Sequence, residues 1–141
     1  MYDPFEHADR LNIEVVFGRL RTAHGLWIPE RRTIILKRGM RALHERSILA
    51  HELGHVCLGH DDSTPRNEFL ADRWAARHLI APDHLAAIAR VHTDQAQWCL
   101  ELDVTPHMLE TYLSLPLNSR QEPKWLGQKS SLRGSTAASI A

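Results

Sequence analysis

His51-Glu52-Leu53-Gly54-His55 is the stretch from which the rest of the chain is read. Two imidazoles four residues apart on a helix fall on one face, about 40° from each other on a ~3.6-residue turn, so a tetrahedral metal can take a nitrogen from each. Glu52 follows the first histidine by one residue. Its carboxylate is thereby set beside the metal without displacing either imidazole, where a general base for water activated by that metal belongs. Leu49, Leu53, Val56 and Cys57 take the opposite arc and predict a stripe packed on a core, leaving His51, Glu52 and His55 as a polar side. A chain with 10 histidines can match three fixed positions by chance, so the pattern calls for a third ligand.

Two places offer one. A metzincin would continue as HExxHxxGxxH, with Gly at 58 and a ligand at 61. Leu58 stands at the first position and Asp61 at the second, while Gly59 and His60 are one step out of register. Asp61 could ligate, but the turn-making glycine is missing. The stronger candidate is Glu68, in Asn67-Glu68-Phe69-Leu70-Ala71-Asp72. Thr64 caps a helix there and Pro65 opens it, where the missing N–H costs nothing. Glu68 and Asp72 share a face with Ala75, Ala76 and Leu79, away from Arg66, Arg73 and Arg77. The small Ala71, Ala75 and Ala76 predict a close approach of the two helices. Two histidines plus a glutamate from the following helix form a catalytic zinc set of the thermolysin kind. The alternative for Glu68, an ordinary first-turn acid that complements the helix dipole, is outweighed by HExxH just upstream.

The combination HELGH, then Asn-Glu-x-x-Ala-Asp, then an Ala-rich helix closing on Leu79-Ile80-Ala81-Pro82, resembles the ImmA/IrrE-type metallopeptidases over roughly residues 10–116. That resemblance implies a small zincin-like α+β domain that binds Zn²⁺. It also implies a cytoplasmic protein of a phage, mobile element or stress operon that cleaves a helix-turn-helix repressor. Carried onto this chain it makes His51, His55 and Glu68 the metal ligands and Glu52 the catalytic base. Asp72 resembles the acid that orients a ligand imidazole and fixes its tautomer.

The length of 141 residues suits one domain. A formal net charge of zero argues against general polyanion binding. The charge is uneven: residues 61–117 carry four Lys/Arg against nine Asp/Glu, an acidic section around the expected dication. The first residues lack a basic segment followed by an apolar core, and no apolar run approaches the ~18 residues of a membrane helix. Cys57 and Cys99 are too few for a disulfide framework and read as reduced, buried residues of a cytoplasmic protein.

A short helix over 3–11 and strands at 13–17, 25–28 and 33–36 predict a small antiparallel sheet before the metal helix. Pro29 sits at the second position of the turn joining the last two strands. Strand 33–36 is the candidate edge for pairing with a substrate backbone, with an ordinary core strand as the alternative. Arg31, Arg32, Lys37, Arg38, Arg41 and Arg46 read as a solvated hairpin end and helix start, with steering of an acidic partner as the alternative. After a helix at 83–91, residues 93–117 resemble a helix-turn-helix with Val104-Thr105 at the turn, Cys99 at the small position and Pro106 opening the second helix. That second helix presents His107, Met108, Glu110 and Thr111 and no Lys or Arg before Arg120, so the unit is read as a packing or docking element rather than a DNA reader. Residues 1–117 thus form the domain. Residues 118–141, rich in Ser, Gly, Ala and Gln, read as a disordered tail with Trp125-Leu126 as a docking spot.

Two functions compete. One is a zinc endopeptidase acting on a protein partner. The other is a non-catalytic regulator that binds a repressor, toxin or DNA while zinc is structural or vestigial; retention of a free carboxylate at 52 speaks against it. His60, His78, His84, His92, His107 and Tyr112 are left as candidate oxyanion donors, with His60 alternatively supporting a ligand. The oligomeric state, the cleavage site and the activating signal are not legible.

Overall fold

The computed structural model describes residues 1–120. Helix α1, Pro4–Arg10, forms where Asp3 accepts from the Phe5 and Glu6 amides and Pro4 occupies the first turn. Strands β1 (Glu14–Gly18), β2 (Gly25–Ile28) and β3 (Thr33–Lys37) follow. The α+β class stands, but the sheet is mixed rather than wholly antiparallel. Its order is β1-β3-β2, with β1 parallel and β2 antiparallel to β3. The hairpin between β2 and β3 forms through a 3₁₀ turn, Pro29–Arg31, closed by Arg32 in the left-handed region at φ 45°. Residues 19–24 carry the chain past the place of β3, so β1 ends on its far side.

The candidate substrate edge is corrected accordingly. Strand β3 is central, with Ile34 and Leu36 fully buried, and β1 and β2 are the two edges. An uninterrupted Ile34-Ile35-Leu36 run is the signature of a strand covered on both sides.

Helix α2, Ala42–Leu58, packs against the sheet with Leu49, Ala50 and Leu53, all fully buried, and ends at Gly59 with φ 70°. Its other side is polar, as expected, but it is not open to solvent. Glu52 and His55 are only 9% and 6% exposed, because β2 and helix α3 (Pro65–Leu79) close over them. Helix α3 starts as expected, Thr64 Oγ1 accepting from the Asn67 amide with Pro65 at the first position. Gly54 is the contact point of the two helices.

Helices α4 (Pro82–Val91), α5 (Gln95–Leu102) and α6 (Pro106–Ser114) complete the fold. The α5–α6 unit turns at Asp103 in the left-handed region and packs α6 onto α3. Cys99, Leu102, Val104, Met108, Leu109 and Tyr112 of this unit are core residues. Arg46 is the exception to a solvated basic stretch. It is buried, and its guanidinium donates to the carbonyls of Leu102, Asp103, Tyr2 and Leu79. Past Ser114 a 3₁₀ turn, Leu117–Ser119, brings Arg120 back to donate to the Leu113 and Leu115 carbonyls. The rest of the expected tail, Trp125 and Leu126 included, lies outside the described residues. No helix among the described residues is long and apolar enough to cross a membrane.

Candidate metal centre

Helix α2 supplies His51, Glu52 and His55, and α3 supplies Glu68 and Asp72. The register of the two helices makes three donor atoms converge. His51 Nε2 lies 2.7 Å and His55 Nε2 2.9 Å from Glu68 Oε2, and the two nitrogens are 3.2 Å apart. Metal bonds of ~2.0–2.1 Å at tetrahedral angles would separate such donors by about 3.3 Å, so the trio needs to open by a few tenths of an ångström to accept a zinc-sized cation. The residues fit the group. His51, Glu52 and His55 also offer donor atoms within 4.8 Å of one another, but Glu52 Oε2 is 4.0 Å from His51 Nε2. Of the two carboxylates, Glu68 alone stands at ligand-like distance from both imidazoles.

The far nitrogens are held as well. His51 Nδ1 donates to Asp72 Oδ1 at 2.7 Å, so Nε2 is the nitrogen turned to the cluster, where it would ligate on giving up its proton. The other oxygen of Asp72 is 2.8 Å from His107 Nε2, at the start of α6. His55 Nδ1 is 2.9 Å from His60 Nδ1. With its Nε2 turned to the cluster, His55 donates and a neutral His60 accepts. Of the unassigned histidines, His60 and His107 are therefore drawn to the site, His60 behind the His55 ring and His107 behind the Asp72 carboxylate. His78 hydrogen-bonds the Trp74 carbonyl in the core instead.

The electrostatics favour positive charge between these rings. Burial works against a charged His51, yet the Asp72 hydrogen bond and the Glu52, Asp72 and Glu68 carboxylates raise it to about 9. Burial, then the charge of His51, holds His55 below the usual imidazole value. Burial pushes Glu52 up to about 7, Glu68 adding to the rise while His51 and a hydrogen bond from the Trp27 amide oppose it.

Strand β2 lies directly on this side of α2. A Cβ at Gly25 would come within 2.7 Å of Ile48 Cγ2 and 3.0 Å of Glu52 Cγ. His24 accepts from the Lys37 amide, so alternation turns the polar groups of Gly25 and Trp27 away from β3, toward a cleft lined by Glu52, His55, His60 and Glu68. Asp61, the alternative third ligand, lines that same cleft on an exposed loop.

A peptidase family described as the IrrE N-terminal-like domain matches residues 8–111 of the 141. The chain belongs to that family. No curated protein matches it. Membership in the IrrE N-terminal-like family makes the HExxH helix that of a metallopeptidase-type domain, and the His51–Glu52–His55 grouping is consistent with a metal such as zinc. Two relationships had no reading in the sequence: the Trp27 amide on Glu52, and His107 on Asp72. The first depends on which strand is the edge, the second on how α6 docks against α3. The only hint of the second is a histidine just after Pro106, at the helix start.

Proposed function

We propose that the chain is a cytoplasmic zinc-dependent endopeptidase that cleaves a protein partner, a helix-turn-helix repressor of a phage, mobile element or stress operon. The observation that carries the catalytic part is the position of Glu52, a buried carboxylate standing beside, not within, the His51–His55–Glu68 trio. The repressor as substrate rests on the resemblance to ImmA/IrrE-type proteins. The cytoplasm is supported by Cys57 and Cys99, both free.

In this reading His51, His55 and Glu68 hold the metal. Zinc supplies Lewis acidity at the scissile carbonyl and makes water acidic enough to attack near neutral pH. Glu52 takes a proton from the attacking water as the carbon–oxygen bond forms. It then delivers that proton to the amine nitrogen as the carbon–nitrogen bond breaks. Asp72 and His60 keep the two imidazoles in the tautomer that presents Nε2. The outer edge of β2, at the Gly25 backbone and the Trp27 carbonyl, pairs with the substrate backbone and holds it in extended form over Glu52, which keeps the Trp27 amide.

The test is co-expression with repressors encoded beside the gene, with fragments identified by mass spectrometry. The wild-type chain should cut one of them at a single bond. Glu52→Gln should retain zinc and leave that repressor intact, and undiminished cleavage by this variant sinks the mechanism. Full regulatory activity of Glu52→Gln in cells would instead favour a regulator that works by binding.

A further inference from the structure

Besides the cleft at Glu52 and Glu68, a second cavity of about 480 Å³ adjoins the centre at His51 and Asp72. Three imidazoles outside the centre line it: His24 just ahead of β2, His44 in the first turn of α2 and His107 in the first turn of α6. His107 is prepared as a ligand. Its Nε2 donates to Asp72 Oδ2 at 2.8 Å, so the lone pair of the neutral ring is on Nδ1. A carboxylate behind the imidazole is the usual support of a metal-bound histidine, and Asp72 gives the same support to His51 with its other oxygen. The rings of His24 and His44 have neither a hydrogen bond nor an ion pair among the described residues. No Lys or Arg lines the cavity to repel a cation.

We propose that His24, His44 and His107 hold a second divalent cation of the zinc type, with Asp72 as the carboxylate shared between the imidazoles of the two metal sites. Three neutral imidazoles suit zinc, copper or nickel, whereas calcium and magnesium take oxygen donors. Three histidines and a water complete a tetrahedral zinc set. The donor atoms of His24, His44 and His107 do not converge as those of the first centre do, so the site closes on its ion. His24 is exposed and His44 half-buried, and both rings can turn without breaking a bond, while His107 is held by Asp72. That movement makes the second ion the weaker of the two. Because Asp72 backs both His107 and His51, an ion on His107 steadies the carboxylate that orients a ligand of the first metal. The assignment concerns binding alone and holds whether or not the chain cleaves a protein.

The experiment is equilibrium dialysis of the full chain against zinc at neutral pH, with bound metal counted by mass spectrometry. Wild type should take up a second zinc per chain after the first, and a large excess of magnesium should not displace it. His24→Ala and His44→Ala should each weaken the second equivalent by about tenfold or more, the loss of one metal–nitrogen bond, and leave the first as it is. Replacing His84 and His92 together by Ala should change neither equivalent. Both lie outside the cavity lining and control for zinc on scattered imidazoles. Saturation of wild type at one zinc would overturn the site. So would a second equivalent that persists undiminished when His24 and His44 are both replaced, or one that the control pair weakens equally.

Discussion

Gly54 of α2 meets the backbone of Ala71 of α3 so closely that a methyl group at 54 would lie 2.9 Å from the Ala71 carbonyl oxygen. The contact sets the distance between the helix that carries His51 and His55 and the one that carries Glu68. Glycine in a helix interior ordinarily costs about 1 kcal/mol relative to alanine, so Gly54→Ala would stabilise an exposed helix. Here the sign reverses, because the obstacle is backbone and cannot rotate away. We expect a loss of roughly 1–3 kcal/mol, and less zinc bound per chain as α3 is displaced. Thermal denaturation and metal analysis check this; an unchanged or raised Tm would refute the close-approach argument.

Asp72 divides its two oxygens between His51 and His107. Removing the partner of a ligand imidazole typically weakens metal binding by about 10–100-fold. Asp72→Ala should fall in that range, measured by competition with a chromophoric chelator. His107→Ala should weaken zinc by a smaller factor, since Asp72 keeps its bond to His51 but loses the group that holds it in place. Unaltered zinc affinity in both variants would show that the carboxylate bridge has no part in holding His51.

Much of this was legible before any coordinates. The spacing of His51, Glu52 and His55 and the capped start of α3 at Thr64-Pro65 are local, so their geometry follows from helix periodicity and cap chemistry. The approach of Glu68 needed one further inference, that small residues let two helices close, and Gly54 and Ala71 bear that out. The sheet order was not legible. Strand pairing is a long-range choice, and residues 19–24 allow β1 to lie on either side of β3. The Ile34-Ile35-Leu36 run suits the core-strand alternative, but an apolar run does not say which strands flank it. Arg46 was obscured for a related reason. Nothing local distinguishes it from Arg41, and its burial depends on four carbonyls from three distant parts of the chain.

Those four carbonyls make Arg46 a structural keystone. Its guanidinium joins the chain start at Tyr2, the end of α3 at Leu79 and the turn at Leu102 and Asp103. Replacement by Met preserves much of the volume and strands the acceptors in the core. We expect a loss of roughly 3–5 kcal/mol, the usual range when one side of a buried charged network is removed. Arg46→Lys should recover only part of it, because an ammonium cannot serve four diverging acceptors. Urea denaturation of the three proteins checks this. An Arg46→Met chain within ~0.5 kcal/mol of wild type, the range of a neutral surface substitution, would mean that the carbonyls find other partners.

Acid should unfold the protein through a cluster far from the metal centre. His7 and His78 are buried beside Trp74, with His78 stacked on its ring at 3.7 Å and Tyr2 bonded to His7 at 2.7 Å. Burial lowers His7 from 6.5 to about 4. Burial also lowers His78 to about 4, helped by the charges of His7 and Arg77 and opposed by the bond to the Trp74 carbonyl. Above pH 6.5 both rings are neutral whether folded or unfolded, and neither contributes a pH dependence. As the pH falls from 6.5 toward 4 the unfolded chain takes up protons that the folded one refuses. Stability then drops by ~1.4 kcal/mol per unit for each ring, or about 3 kcal/mol apiece by pH 4. The metal-site histidines also titrate, so the decisive quantity is a difference. In metal-free protein, the stability of His78→Gln relative to wild type should improve by about 1.4 kcal/mol for each pH unit lowered within this window, one proton's worth. Parallel stability curves for the two proteins between pH 6.5 and 4 would show that His78 is protonated as readily in the folded state as in the unfolded one.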